Sequence, residues 1–215
     1  MDTDKLMGDW FRHFVPGKTA LIVVDKQNAY MDEAVLADRS YSLSEMGKAN
    51  FVNLEHFIEA ARAAGVPVIW TQMYESVAMP QEPVREKMLR DVAEGYVVID
   101  SRPGNAQYAF HGRVQPLDNE TIIPKEHYDA FSNPSLHQSL QALGVESVIL
   151  CGGFASRCVV ATSFGANTHD YHLMIASDAV IDPASFEPEI PTTSKIIDAI
   201  LGYHAPVAEI ITNWQ

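Results

Sequence analysis

The sequence predicts an α/β fold of the doubly wound kind: three layers, with a six-stranded, mostly parallel sheet and helices on both faces. Three observations lead there. Short apolar runs rich in β-branched residues recur along the chain, and stretches of helical periodicity separate them. Strands that alternate with helices need crossover connections, which pair strands in parallel and cover both faces of the sheet. No internal repeat, low-complexity tract or linker interrupts the pattern, so residues 1–215 read as a single domain able to bury a sizeable core.

The elements follow in order. Residues 19–25, TALIVVD, form a near-continuous apolar run and read as a buried strand ending at Asp25. Residues 44–64 place Leu54, Phe57, Ile58 and Ala61 at helical spacing; Ser42 with Glu45 resembles a capping box, and Gly65 stops the helix. A strand is expected at 66–71, a helix at 84–94 and a weaker strand at 96–99. Residues 100–118 are long and irregular, a kind of stretch that is often functional. A short strand follows at 120–124. Asn133 and Pro134 read as N-cap and first helical position of a helix ending near Gly144. Then come a strand at 146–151, the turn GGFAS, a helix at 156–169, a strand at 172–177, a helix at 192–202 and a final strand at 207–212.

Apolar residues make up 47% and charged residues 20%, as in a folded globular protein. The net charge of −13 repels nucleic-acid phosphates and anionic membranes, which removes both as expected partners. The N-terminal residues lack the pattern of a secretory signal, and no run approaches the ~18 apolar residues of a membrane span. Two cysteines, Cys151 and Cys158, do not make a disulfide framework. A reducing, cytoplasmic setting is expected.

In an open parallel sheet, ligands bind beyond the carboxyl ends of the strands. Three chemically able side chains fall there. Cys158 lies in the first turn of the 156–169 helix; with Ser156 as N-cap, unpaired N–H groups and the helix dipole would lower its thiol pKa and stabilise an oxyanion. A buried cysteine packing the helix on the sheet is the competing reading. Asp25 ends the first strand and could serve as general base and acid, or face water and cap a loop. Lys125 follows ETIIP; it could pair with Asp25, or be a solvated surface lysine. The three converge if the strands at 19–25, 120–124 and 146–151 are neighbours. Gln27, Asn28, Tyr30, Gln72 and Tyr74 fall on loops after the first two strands and could hydrogen-bond a polar substrate; the glutamines could equally bond loop backbone. Arg157 could grip a carboxylate or point into solvent. Phe131 and Phe154 could supply flat walls or pack in the core.

With LIVVDKQNAY (21–30), VIWTQ (68–72), PKEHYDAF (124–131) and CGGFASRCVVAT (151–162) in this order and spacing, the chain resembles the isochorismatase-like hydrolase family, from about residue 17 to residue 212. The resemblance implies a six-stranded parallel sheet with helices on both faces. It implies an Asp–Lys–Cys triad on Asp25, Lys125 and Cys158, a cis peptide at Gly153–Phe154, and an oxyanion hole of the Phe154 and Cys158 amides. It also implies a homodimer or homotetramer. Phe154 departs from the small residues common in family amidases. Isochorismatases often have Tyr there, but they cleave a vinyl ether and carry Gly where this chain keeps Cys158. Nicotinamidases of the family bind a divalent ion through an Asp-x-His motif plus another His. TQMYESVAMPQEP contains neither residue type, so no metal and no cofactor are expected. His111, His127, His137, His169, His172 and His204 read as surface or packing residues.

The combined expectation is a cysteine amidohydrolase that cleaves a C–N bond in a small amide or ureido compound such as biuret, triuret or an N-carbamoyl acid. Two alternatives stand beside it: a vinyl ether hydrolase using Asp25 as acid, and a non-catalytic binding protein on the same fold. The GGFASRC turn lacks the spacing of a dinucleotide fingerprint.

Overall fold

A computed structural model describes residues 10–75, 82–94, 99–187 and 195–215. Its centre is a six-stranded sheet: β1 (Thr19–Val24), β2 (Val68–Met73), β3 (Thr121–Lys125), β4 (Ser147–Gly153), β5 (His172–Ile181) and β6 (Tyr203–Ala205). The spatial order is β3-β2-β1-β4-β5-β6, and every adjacent pair is parallel. The chain moves outward in one direction from β1 to β3, then returns to the centre and moves the other way from β4. The reversal opens a crevice at the carboxyl ends of β1 and β4.

Every residue of β1 and β4 is buried, because both faces of the sheet are covered. Alternate side chains go to opposite layers. Leu21 and Val23 join Leu54, Phe57, Ile58 and Ala61 of one helix layer. Ala20, Ile22 and Val24 join Leu136, Leu140 and Ala166 of the other.

The helices are α1 (Asn28–Met31), α2 (Glu33–Ala37), α3 (Glu45–Ala63), α4 (Glu82–Ala93), α5 (Pro134–Leu143), α6 (Val160–Thr168) and α7 (Val207–Asn213). The N-cap of α3 is Ser44, not Ser42: its Oγ accepts from the Gly47 amide at 3.0 Å. Gly65 ends α3 as expected, in the left-handed region at φ +72°, with the Gly65 and Val66 amides returning to Arg62 and Ala61. Asn133 caps α5, with Pro134 next and Gly144 left-handed at the far end.

The carboxyl end departs from expectation. Residues 207–212 are helical, and the last strand is the three-residue β6 just before them. Val207 and Ile210 are buried while Ala208 and Glu209 are exposed, a three-residue spacing that a helix satisfies and a strand does not. The weak strand expected at 96–99 lies, apart from Ile99, outside the described residues, as do residues 192–194 of the expected helix at 192–202. That segment ends in a π-helical turn, Ile197–Leu201. Among the described residues no helix is long and apolar enough to cross a membrane.

Candidate active site

Asp25 leaves β1 in the left-handed region, at φ +46°, and its side chain is fully buried. Aspartate tolerates this backbone better than most residues. The conformation turns the carboxylate into the crevice. Thr71 of β2 fixes it: its Oγ1 donates to Asp25 Oδ1 at 2.6 Å and accepts from the Asp25 amide at 3.1 Å. Asp25 Oδ2 lies 2.7 Å from Lys125 Nζ, and has no well-aligned hydrogen-bond donor among the described residues.

Lys125 ends β3. That strand is not a neighbour of β1, contrary to the condition set from sequence, because β2 lies between them. The length of the lysine side chain closes the gap. Its Nζ passes Met73 Sδ at 3.4 Å and reaches Cys158 Sγ at 3.3 Å. The carbonyls of His127 and Tyr128 accept from it at 3.1 and 3.3 Å. Burial opposes its charge, but the Asp25 carboxylate, with the hydrogen bond to Cys158 beside it, outweighs that and holds its pKa above the usual lysine value.

Cys158 sits in a π-helical turn, Ala155–Val159, that follows β4 and leads into α6. Gly152 makes the approach possible: at φ +102°, a Cβ there would collide with the Val24 carbonyl. The Gly153–Phe154 peptide is cis, as the resemblance implied. Ser156 is not the N-cap. Phe154 holds that position, and Ser156 is taken by Asp182, which accepts from its amide and from its Oγ, both at 3.0 Å. The thiol also differs from expectation. Burial pushes the Cys158 pKa up, the Asp25 charge adds to this, and Lys125 opposes it. The resting group is a neutral thiol beside the Asp25–Lys125 pair, because loss of solvation disfavours the thiolate.

The remaining sequence candidates divide. Gln27 is fully buried and spends its amide on backbone: Nε2 donates to Met73 O at 3.1 Å and Tyr108 O at 3.0 Å, and Oε1 accepts from the Met73 amide at 2.7 Å. Gln72 likewise donates to Tyr108 O at 2.9 Å. Phe131 stacks on His169 and lies tilted against Tyr171, and so packs in the α6 layer. Tyr30 does border the site. Its ring meets Phe154 edge-on at 5.5 Å, and its hydroxyl donates to Glu75 Oε2 at 2.9 Å. Tyr74 lines a cavity of about 600 Å³ together with Lys125 and Tyr108. Arg157 stacks over the rings of Phe154 and Phe186.

Several residues were not singled out from sequence. Thr71 orients Asp25. Burial raises the pKa of Glu75, against the hydrogen bond from Tyr30 and the charges of Arg39 and Arg157. Tyr108 feels both burial and the Asp25 charge, which raise its pKa. The irregular segment 100–118 carries Tyr108 to this place. Lys26 is fully buried and pairs with Glu55 Oε1 at 3.0 Å. It also donates to the carbonyls of His111 and Val114, and the Asn28 amide donates to Ala109 O at 2.9 Å. The length and irregularity of the segment were the only sequence signal. Among the described residues no group of three or more His, Cys, Asp or Glu side chains is placed to hold a metal ion.

Comparison with known proteins bears on the family and the fold. An isochorismatase domain model matches residues 19–189. The ureidoacrylate amidohydrolase RutB of Agrobacterium fabrum is 28% identical over 176 residues, covering 76% of each chain. A cysteine hydrolase from Pseudomonas syringae pv. phaseolicola superposes with a TM-score of 0.77 at 20% identity, covering 93% of each chain. The N-carbamoylsarcosine amidase of Thermoplasma acidophilum superposes at 0.69 and 20% identity, over 88% of this chain and 96% of that one.

Proposed function

This chain belongs to the isochorismatase-like hydrolase family, and from that membership we propose a cysteine amidohydrolase that cleaves a small amide or ureido compound at Cys158. It is a hydrolase of carbon–nitrogen bonds. The observation that carries the reading is a single buried ammonium: Lys125 Nζ lies 2.7 Å from Asp25 Oδ2 and 3.3 Å from Cys158 Sγ. An acid–base group, a cation and a nucleophile in one dry crevice match the needs of acyl transfer. The curated relative whose name specifies a ureido acid supports the substrate class.

Asp25 takes the thiol proton as Sγ attacks the carbonyl carbon, so the thiolate forms only as it is consumed. The carbonyl oxygen becomes an oxyanion held by the amides of Phe154 and Cys158. Lys125 stays protonated and balances the negative charge passing between Asp25 and sulfur. The tetrahedral adduct collapses, the C–N bond breaks, and Asp25 returns the proton to the leaving nitrogen. A thioester or thiocarbamate remains on Cys158. Asp25 then removes a proton from water, the hydroxide adds to the acyl carbon, and the proton goes back to sulfur as the C–S bond breaks.

The test is an ammonia-release screen over small amides and ureides, with mass spectrometry of wild type quenched during turnover. The expected result is ammonia release, a covalent adduct on Cys158, and loss of both in Cys158→Ala. Pyruvate release from a vinyl ether, with Cys158→Ala still active, would overturn the proposal.

A further inference from the structure

Two guanidinium groups, one of them next to Cys158 in the chain, have no ion-pair partner among the described residues. Arg157 immediately precedes Cys158 and is half-buried. Its guanidinium lies 4.7 Å from the centre of the Phe186 ring and 5.4 Å from that of Phe154, so two aromatic rings hold it in place. Arg39 is also half-buried. Its Nη1 donates to Ala29 O at 3.2 Å and its guanidinium rests over Tyr41, but its buried Nε has no acceptor among the described residues. The two cations are close enough to repel one another. Glu75 attracts both, yet its carboxylate is given to the Tyr30 hydroxyl. Among the described residues, no carboxylate oxygen lies within 4.0 Å of either guanidinium.

A buried guanidinium nitrogen without an acceptor, beside a second cation that repels it, is costly. A planar anion that accepts two parallel hydrogen bonds offsets that cost. The position fits the reaction: the Arg157 charge is felt by Tyr128, which in turn lies within electrostatic reach of Cys158 and Lys125. We propose that Arg157, with Arg39 as a second arm, binds a carboxylate of the substrate, so that the compound cleaved at Cys158 is an N-carbamoyl or ureido acid and not a neutral ureide. The identity of the bond cleaved rests on the amidohydrolase reading; the carboxylate site does not.

The test pairs acids with neutral analogues: N-carbamoylglycine against propylurea, and N-carbamoyl-β-alanine against butylurea. Ammonia release gives kcat and KM, and titration of Cys158→Ser gives binding without turnover. Wild type should favour the acid of each pair at least tenfold. Arg157→Gln should weaken acid binding by about 10- to 100-fold, mainly through KM, and bring each pair close to parity. Arg157→Lys should recover part of the loss, since it keeps the charge without the fork. Arg39→Gln should have a smaller effect of the same sign. Ammonia released equally from both members of each pair would sink the carboxylate site and leave the amidohydrolase standing. Acid-selective binding without ammonia release would do the reverse. Binding of neither member, or an acid preference unchanged in both arginine variants, would overturn the inference.

Discussion

Thr71→Val tests how Asp25 is held. The substitution keeps the shape of the side chain and removes one hydroxyl. That hydroxyl makes two buried contacts, accepting from the Asp25 amide at 3.1 Å and donating to Oδ1 at 2.6 Å. A neutral hydrogen bond contributes about 1 kcal/mol and one to a charged group about 1.5–3 kcal/mol. Their joint loss should cost roughly 2.5–4 kcal/mol, because neither orphaned group can reach water: both residues are fully buried. At about 2–4 °C per kcal/mol for a chain of this size, the midpoint should fall by roughly 5–15 °C. Urea titration followed by tryptophan fluorescence gives the stability change, and ammonia release on the same samples gives kcat. We expect kcat to fall at least tenfold, since Thr71 no longer fixes the plane of the carboxylate that faces Lys125. Thr71→Ser should retain most of both quantities. A Thr71→Val protein within 0.5 kcal/mol of wild type, with unchanged kcat, would refute the idea that this hydroxyl orients the base.

Other outcomes follow from the same geometry. Lys125→Met leaves Asp25 buried and unpaired, so it should cost about 3–5 kcal/mol in urea unfolding and lower kcat by at least 100-fold; wild-type stability would refute the pairing. Burial and the Asp25 charge keep Cys158 protonated at rest, so its alkylation by iodoacetamide, mapped by peptide mass spectrometry, should be slow at pH 7 and still climbing at pH 9. A plateau below pH 8 would show a thiolate instead. Burial pushes the Asp182 carboxyl up to about 6, against the hydrogen bonds from Ser156. Its folded-state pKa therefore lies above the unfolded value of about 3.9, and the stability it contributes is present at pH 4 and lost as pH rises through 6. The change should be roughly 2 kcal/mol, read from urea midpoints. Asp182→Asn should flatten the curve; an equally sloped curve would assign the slope to another group.

The parts of the fold legible in the sequence were those with a local cause. TALIVV and SVILCGG are buried on both faces, so the apolar run is itself the signal. Asn133–Pro134 and the glycines at 65 and 144 carry their turn chemistry with them. Residues 207–212 misled because VAEIIT is rich in β-branched types, and tertiary packing of Val207 and Ile210 overrode that propensity. Ser42 looked like a cap because Glu45 follows at capping-box spacing, whereas Ser44 Oγ is the group that meets the free Gly47 amide. In the site, Asp25, Lys125 and Cys158 announced themselves at strand ends. Thr71, Glu75, Tyr108 and Asp182 did not, since each is an ordinary polar residue until a partner far along the chain arrives. The direction of the thiol pKa is not legible for a related reason: a helix start is visible in sequence, but the depth of burial is not.

One tripeptide divides its labour in a way that bears on how such a catalyst could be retuned. Asp25 turns inward to the chemistry, Lys26 reaches beneath to hold the stretch ending at Val114, and Gln27 ties that stretch to β2 through Tyr108 and Met73. The roof is thus bolted to the same three residues that supply the proposed acid–base group. Replacing the span before Tyr108 would exchange the ceiling seen by an incoming molecule, while the bolts and the carboxylate beneath keep their places.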